Sequence, residues 1–514
     1  MTNWDALDQL KFRDEREAVA DLLTHMPLDP VERGAVVAEA ISLVERARAA
    51  ANRQGVVEGF LQEYSLGTRE GLALMCLAEA VLRTPDDDTR DRLIAEKISS
   101  ADWASHLGQS DSLFVNASTW GLMLTGKLVD VDDDARRDLP GFLARVAGRI
   151  GEPVIRQAVV TAVKIMGEQF VLGRNIGAAL KRADRHDWLC SFDMLGEGAR
   201  TAADAEHYER IYAGAIEAVG KARGKEEGPE DGHGVSVKLS ALSPRYEAIQ
   251  ENRVWDELYP RVLRLAKLGA KYKLNFTIDA EEADRLVLSL KLLDRLAHEP
   301  ELGGWTGLGL AVQAYQKRAP QVIALIADLA RRSGRRLMVR LVKGAYWDTE
   351  IKRAQIAGRV DYPVFTTKPA TDLNFLVCAQ AMIEASPLIY SQFATHNAHT
   401  LAAVNRMARE REVRIEFQRL HGMGEALYDA ARHTWNEGAE PVVRAYAPVG
   451  GHEELLPYLV RRLLENGANS SFVHALLDER VPAGDVAADP ISAVEAQPDR
   501  HPKLPVPRDM YEIV

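Results

Sequence analysis

The sequence predicts an α/β protein, a (β/α)8 barrel preceded by an all-helical arm and a helical domain. Three observations predict it: eight short apolar segments recur after about residue 185, amphipathic stretches separate them, and six of the eight close on a polar residue. Parallel strands need a long return between them, and eight such units in about 290 residues suit a closed barrel better than an open sheet. No GxGxxG opens a helix after any of the strands, which argues against a Rossmann dinucleotide site.

The elements follow in chain order. Residues 1–60 read as a helical arm, 61–150 as a helical domain and 151–184 as a helical connection. Within the second, Leu74, Leu77, Ala78, Val81 and Leu82 make one apolar stripe, ended by Thr84-Pro85 and the acidic run Asp86 to Asp88. The cluster Asp130, Asp132, Asp133 and Asp134 lacks the glycine and glutamate of a calcium loop and reads as a solvated turn. The strands are expected at Cys190–Leu195, Val235–Leu239, Phe276–Ala280, Leu308–Tyr315, Leu337–Tyr346, Ser391–His396, Val413–Leu420 and Val442–Pro448, within a barrel domain of 185–480. Trp255–Leu268, Ala283–Leu296 and Gln321–Ala330 are crossover helices by their period. Residues 481–514, with prolines at 490, 498, 502, 505 and 507, read as a Pro-rich linker or tail without a core of its own.

Composition narrows the function. The chain has 514 residues, and 64 Lys plus Arg against 75 Asp plus Glu leave a net charge of −11. Such a surface repels polyphosphate, so nucleic acid is not an expected partner. Cys76, Cys190 and Cys378 are far apart without CxxC spacing, as in a reduced, cytoplasmic setting. No run of 18 uncharged apolar residues occurs, so any membrane contact is expected to be peripheral.

Barrel chemistry gathers where strands end. The residues there are Lys238, Asp279, Gln313, Arg340, His396 and Gln418. Any one could be a structural ion-pair member; together they point at one mouth, where each buried polar group left unpaired would cost about 1–3 kcal/mol. The helix predicted over Glu454–Asn466 puts Leu456, Leu459, Val460, Leu463 and Leu464 on one side and Tyr458, Arg461, Arg462 and Glu465 on the other. That second face is either a solvated one with an Arg461–Glu465 pair or a guanidinium clamp for a small carboxylate. His396, His399 and His421 have poor metal-ligand spacing, and no metal is expected. Asp279 and Glu281 lack the partner that glycoside hydrolysis needs, and Cys190 and Cys378 sit in apolar segments that packing explains.

Several runs carry a resemblance: Arg340-Leu-Val-Lys-Gly-Ala-Tyr-Trp-Asp348, Gln392-Phe-Ala-Thr-His-Asn-Ala-His-Thr400, Phe417-Gln-Arg-Leu-His-Gly-Met-Gly-Glu425, Tyr446-Ala-Pro-Val-Gly450 and Tyr458-Leu-Val-Arg-Arg-Leu-Leu-Glu-Asn-Gly467. They resemble the proline dehydrogenase domain of bacterial proline utilization A over residues 185 to 480, and Ser65-Leu-Gly-Thr-Arg-Glu-Gly71 resembles the helical region before it. The resemblance implies a flavoenzyme that oxidises L-proline to Δ1-pyrroline-5-carboxylate and passes electrons from FAD to a membrane quinone. It assigns Arg461, Arg462 and Lys238 to the substrate carboxylate, and Tyr446, Tyr458 and Leu420 to the walls around the ring. Asp279 would lie toward the ring nitrogen, and Glu197 would pair with Arg461 as a gate. It assigns FAD to Gln313, Arg340, Val342, Lys343, Gly344, Tyr346 and Trp347, then to Thr366, Lys368, Thr395, His396, Asn397, Gln418 and Glu465, with Arg340 near flavin N5.

Bifunctional members of that family continue into an aldehyde dehydrogenase domain. Past residue 480 this sequence shows neither a nucleotide-binding domain nor a catalytic cysteine, so that half is expected to be missing, and His501-Pro-Lys-Leu-Pro-Val-Pro507 resembles the connector to it. Some relatives begin with a ribbon-helix-helix DNA-binding segment; Met1 to Leu23 is acidic and reads instead as a helical arm.

Overall fold

Eight parallel strands close on themselves, each hydrogen-bonded to the next and β1 to β8. They are β1 Leu189–Met194, β2 Gly234–Val237, β3 Asn275–Ile278, β4 Leu308–Gln313, β5 Leu337–Val342, β6 Ile389–Ala394, β7 Glu416–Leu420 and β8 Val442–Val449. This computed structural model describes residues 3–51, 89, 171–196, 198–224, 228–435, 440–451, 475–476, 478–496 and 500–511. The strands are buried on both faces because helices cover one side and the filled barrel the other, so they appear as short, largely apolar runs broken by buried polar residues such as Ser236, Thr277 and Gln313.

Three helices of the arm come first: α1 Trp4–Gln9, α2 Glu15–Thr24 and α3 Pro30–Ala51. The outer layer then runs α4 Ile176–Arg185, α5 Ala202–Ala222, α6 Tyr259–Lys271, α7 Leu286–Ala297, α8 Ala319–Ser333, α9 Trp347–Ile356, α10 Lys368–Glu384, α11 Ala398–Glu410 and α12 Glu425–Arg432. Several starts have a local cause. Thr201 and Asp204 form a reciprocal capping box before α5, and Pro260 and Pro320 occupy first-turn positions of α6 and α8, where a missing N–H costs nothing. The three crossovers read from the sequence fall on α6, α7 and α8, with α6 entered through a wide turn over Val254–Leu258.

At the barrel's lower end Arg444 and Glu416, both wholly buried, form a two-pronged ion pair at 2.8 and 2.9 Å. The Glu416 carboxylate also accepts from Gln392 at 2.9 Å, so that end is closed by a buried polar plug.

The chain's end departs from the expected linker. Two short helices, α13 Ala483–Val486 and α14 Pro490–Ala496, fold against the barrel. Ile491 and Val494 join Ala18, Val19 and Leu22 of α2 and Phe365, Ala370 and Leu373 in one small core. Full burial of Ile491 stabilises this seam by roughly 1.5–3 kcal/mol. Arg33 of α3 holds Asp489 at 2.8 Å, and the Arg48 guanidinium donates to the carbonyls of Ala475, Leu476, Asp478 and Val481. No helix among the described residues is long and apolar enough to cross a membrane.

Candidate active site

The upper ends of the strands surround a cavity of about 260 Å³. Thirteen of the residues singled out in the sequence line it: Lys238, Asp279, Gln313, Arg340, Val342, Lys343, Gly344, Tyr346, Thr395, His396, Gln418, Leu420 and Tyr446. Most lie at or just past the end of their strand, as Lys238, Asp279 and Gln313 do, whereas Arg340, Gln418 and Tyr446 reach the cavity from positions inside β5, β7 and β8.

Four charges and a phenol form the floor. Lys238 Nζ donates to Asp193 at 2.7 Å, to Asp279 at 3.3 Å and to the Tyr446 hydroxyl at 3.2 Å. Tyr446 donates to Asp279 Oδ2 at 2.6 Å, and Arg340 donates to Asp279 Oδ1 at 2.7 Å. The other arm of Arg340 donates to Ser191 and Ser236 at 3.2 and 2.9 Å, so its guanidinium is braced from three strands. Two carboxylates and two cations balance in charge, which is how so many ionised groups remain buried together.

Burial opposes ionisation throughout this network, and the partners decide the outcome. For Asp279, the Lys238 and Arg340 cations and the Tyr446 and Lys238 hydrogen bonds overcome burial and hold the carboxyl below its ordinary range. Asp193 goes the other way: burial raises it beyond what Lys238 offsets, and the nearby Asp279 charge adds to the rise. Burial acts to lower Lys238, yet Asp193, Tyr446 and Asp279 hold it well above the usual lysine range. Burial and the same carboxylates raise the Tyr446 phenol, so it stays a donor.

The walls are shaped by two glycines in the left-handed half of backbone space. Gly344 has φ +135°, and a Cβ there would stand 2.4 Å from the Tyr315 ring. Gly424 has φ +71°, and a Cβ there would stand 2.6 Å from His396 Cδ2. His396 Nε2 accepts from the Leu420 N–H at 3.1 Å, which fixes the ring and leaves Nδ1 as the protonated nitrogen. Tyr428 supports the same edge by donating to the Thr395 carbonyl at 2.8 Å. Gln313 is pinned by the Glu281 carbonyl at 2.8 Å, and Lys343 by Asp372 and, at 3.4 Å, Thr400.

Four expected cofactor residues do not line the cavity. Trp347 donates to the Phe365 carbonyl, Asn397 caps α11 through the Thr400 N–H, Lys368 opens α10, and Thr366 is bound to Glu15. Glu197, Tyr458, Arg461, Arg462 and Glu465 lie outside the described residues. Two charged lining residues escaped the sequence reading, Asp193 and Arg419. Asp193 was detectable as the one charge inside the apolar run Cys190-Ser-Phe-Asp-Met-Leu195; Arg419, stacked 5.2 Å from the Trp188 ring and 3.2 Å from Glu425, had no comparable mark.

The other candidates are packed away from this cavity. Burial pushes the Cys190 thiol up to about 12, and raises Cys378 as well, which makes both poor nucleophiles. Burial lowers His399 to about 4 and His421 to about 3. Among the described residues no group of three or more His, Cys, Asp or Glu could hold a metal ion.

Comparison with known proteins bears directly on this barrel. A family described as proline dehydrogenase matches residues 177–475. The chain belongs to the proline dehydrogenase family. A second family, described as the DNA-binding domain of proline dehydrogenase, matches residues 56–170. The chain is similar to the bifunctional protein PutA of Salmonella typhimurium, at 52% identity over 97% of this chain and 39% of that protein. It is 50% identical to the PutA of Rhizobium meliloti over 97% of this chain and 40% of that one. It therefore spans about two fifths of the length of these relatives. A crystal structure of a mutant Bradyrhizobium japonicum proline utilization A superposes with a TM-score of 0.74 at 45% identity, covering 97% of this chain and 50% of that one. Within the proline dehydrogenase match fall all eight strands and every residue that lines the cavity.

Proposed function

We propose that this chain oxidises L-proline to Δ1-pyrroline-5-carboxylate, with FAD as the hydride acceptor and a membrane quinone, met by peripheral contact, as the final electron acceptor. The observation that carries this reading is the braced Asp193–Lys238–Asp279–Arg340–Tyr446 floor beneath a strand-end cavity, in a barrel of this family.

The residues present fit a flavin. Arg340 Nε and Gln418 Oε1, both on cavity-lining residues, are buried without a hydrogen-bond partner among the described residues. One offers a donor and the other an acceptor, the complementary pair that a flat ring with alternating N and O atoms along its edge satisfies. When bound, FAD supplies a two-electron acceptor, and the remaining work is positioning. Arg340, held at both terminal nitrogens, presents a fixed cation to that ring. Lys343, Gly344, Tyr346, Val342, Thr395, His396 and Gln313, which line the same cavity, would hold it.

The substrate is a zwitterion with little else to grip. By family resemblance Arg461, Arg462 and Lys238 take its carboxylate, Tyr446, Tyr458 and Leu420 wall its ring, and Glu197 gates Arg461. Asp279, kept ionised, supplies the negative charge toward the ring ammonium. The ring ammonium must first give one proton to water so that the nitrogen lone pair can form the C=N bond as hydride leaves the adjacent carbon; the hydride transfer then needs the two partners near contact and water excluded, which a buried, prebraced floor favours. Trp347, Thr366, Lys368, Asn397 and Glu465 are proposed for the more distant parts of FAD.

The proposed organisation is an arm over 1–60, a helical domain over 61–150, a connection over 151–184, the catalytic barrel over 185–480 and a closing segment over 481–514. The net charge of −11 favours a protein that leaves DNA unretarded at low salt. The deciding experiment is an anaerobic L-proline titration of the purified chain. It should be yellow, and its flavin band should bleach in proportion to added proline; a colourless protein, or a flavin that proline leaves oxidised, defeats the reading.

A further inference from the structure

The Glu15 carboxylate, at the first position of α2, is fully buried, and it is 351 residues away in sequence from its principal partner. Thr366 gives it the backbone N–H at 2.6 Å, and the Thr366 hydroxyl stands 2.9 Å from both of its oxygens. That hydroxyl in turn accepts from the His501 N–H at 2.8 Å. Asp361, at the other end of the same loop, accepts from the Glu15 N–H at 3.1 Å and from both arms of Arg500 at 2.7 and 2.8 Å. Lys317, after β4, lies 3.4 Å from Asp361 and donates to the Arg13 carbonyl at 2.6 Å. The N-terminal arm, the loop 361–367 and the closing segment thus meet at one buried point.

From that point a continuous run of contacts leads to the cavity. Phe365, next to Thr366, donates its N–H to the Tyr315 carbonyl at 2.8 Å and accepts from the Trp347 indole at 2.9 Å. Tyr315 donates its own N–H to the Lys343 carbonyl at 2.8 Å, and its ring fills the space against Gly344. Lys343, Gly344, Ala345 and Tyr346 are the cavity's rim.

We propose that Glu15 is a positioning residue for this rim, acting through Thr366, Phe365 and Tyr315 to hold the turn on which the cofactor's ring would rest. An apolar residue in its place would be cheaper to bury, but it would leave the Thr366 N–H and hydroxyl without an acceptor and release the loop. The arm is in this sense part of the catalytic barrel. The inference rests on the flavin reading only for what the rim holds; the coupling itself is a property of the chain.

The test uses the full chain with Glu15→Ala, Glu15→Gln and Thr366→Val, and with the exposed Glu17→Ala as the control on the same helix. Hydrogen–deuterium exchange is followed in peptides covering 361–367, 343–347 and, as reference, β1. Glu15→Ala and Thr366→Val should speed exchange at both 361–367 and 343–347 by about tenfold, as loss of a buried acceptor allows. Glu15→Gln, which keeps an acceptor for the Thr366 N–H, should restore most of the protection, and β1 and Glu17→Ala should not change. Should Glu15→Ala fail to fold, Thr366→Val decides. Faster exchange confined to 361–367, with the rim unchanged, would reduce the contact to a local brace and overturn the proposal. A second readout is FAD affinity, measured by quenching of flavin fluorescence: it should weaken about tenfold in Glu15→Ala while the proline KM of the loaded enzyme stays put. If the unaltered chain takes up no FAD, the flavin reading fails and the exchange data still judge Glu15.

Discussion

Replacing Lys238 by Met tests the floor of the cavity most directly. Met keeps an unbranched stem of similar length and removes only the ammonium. The Lys238 side chain is about one-tenth exposed, and its ammonium is the donor that holds Asp193 at 2.7 Å. Asp193 is 1% exposed and its Oδ1 already has no hydrogen-bond partner among the described residues. The variant therefore strands a buried carboxylate, for which breaking a buried pair costs about 3–5 kcal/mol. The cost depends on pH, and its sign is fixed by the geometry. Burial already raises the Asp193 carboxyl, and loss of Lys238 raises it further. A carboxyl whose folded pKa lies above its unfolded one leaves stability intact below the unfolded value, and removes it as pH climbs toward the folded value. The penalty should thus be small near pH 4 and grow with pH by up to about 1.4 kcal/mol per unit. Urea unfolding of both proteins at pH 5, 6.5 and 8, followed by tryptophan fluorescence, gives the difference at each pH. A difference that stays flat and below about 1 kcal/mol would show that Asp193 does not depend on Lys238, and the charge-balanced floor would have to be abandoned.

Three further expectations concern other parts of the site. Gly344→Ala places a Cβ 2.4 Å from Tyr315 at φ +135° and should destabilise the chain by about 1–3 kcal/mol with loss of bound flavin; full flavin content and an unchanged melting point would contradict the rim geometry. Arg461→Met and Arg462→Met should each raise the proline KM by roughly 30-fold or more, the equivalent of at least 2 kcal/mol, while the flavin spectrum persists; unaltered steady-state kinetics would remove the clamp. Glu15 is raised to about 7 by burial, against the Thr366 hydrogen bonds and the Lys317 and Arg500 cations, with Asp14 and Asp361 also beside it. Its folded value exceeds its unfolded one, so its contribution is fully present below about pH 4.5 and is lost as pH rises through about 7. Relative to Glu15→Gln, the unaltered chain should be equally stable at pH 4.5 and weaker by about 2–3 kcal/mol at pH 8.5, and equal urea midpoints at both pH values would refute the shift.

The barrel was legible because parallel strands are buried on both faces and so leave apolar runs that need no partner information to see. Where the runs overshoot, backbone geometry explains it. The fifth was expected to reach Tyr346 and stops at Val342, because Gly344 turns the chain out of the strand at φ +135°. The seventh was expected from Val413 and begins at Glu416, since Glu412 itself has φ +53° and the ladder to β8 starts at Glu416. Strand-end polarity found Lys238, Asp279 and Arg340 but passed over Asp193. That residue is one before the end of β1, whose expected run extended to Leu195, and its register places it opposite Ser236, two residues before Lys238. The Glu15 contact could not be read at all: no local pattern links two residues 351 apart, and the proline count that suggested a loose tail concealed Ile491, Val494 and Arg500.

Charge accounting ties the described cavity to the part of the sequence beyond it. Every lysine and arginine lining the cavity already has a carboxylate: Lys238 has Asp193, Arg340 has Asp279, Lys343 has Asp372 and Arg419 has Glu425. A substrate carboxylate entering such a neutral site would exchange its hydration for cations that are each engaged, which gains little. The carboxylate of a zwitterionic substrate therefore requires positive charge that the described walls do not supply. The sequence offers it in Arg461 and Arg462, adjacent arginines within the proline dehydrogenase match, on a predicted helix whose opposite side is apolar. The same accounting separates the roles: Arg340 and Lys238 hold the floor, and Lys238, already engaged by Asp193 and Asp279, adds less affinity for the carboxylate than the arginine pair does. Loss of the pair should thus appear in KM, and loss of Lys238 first in stability.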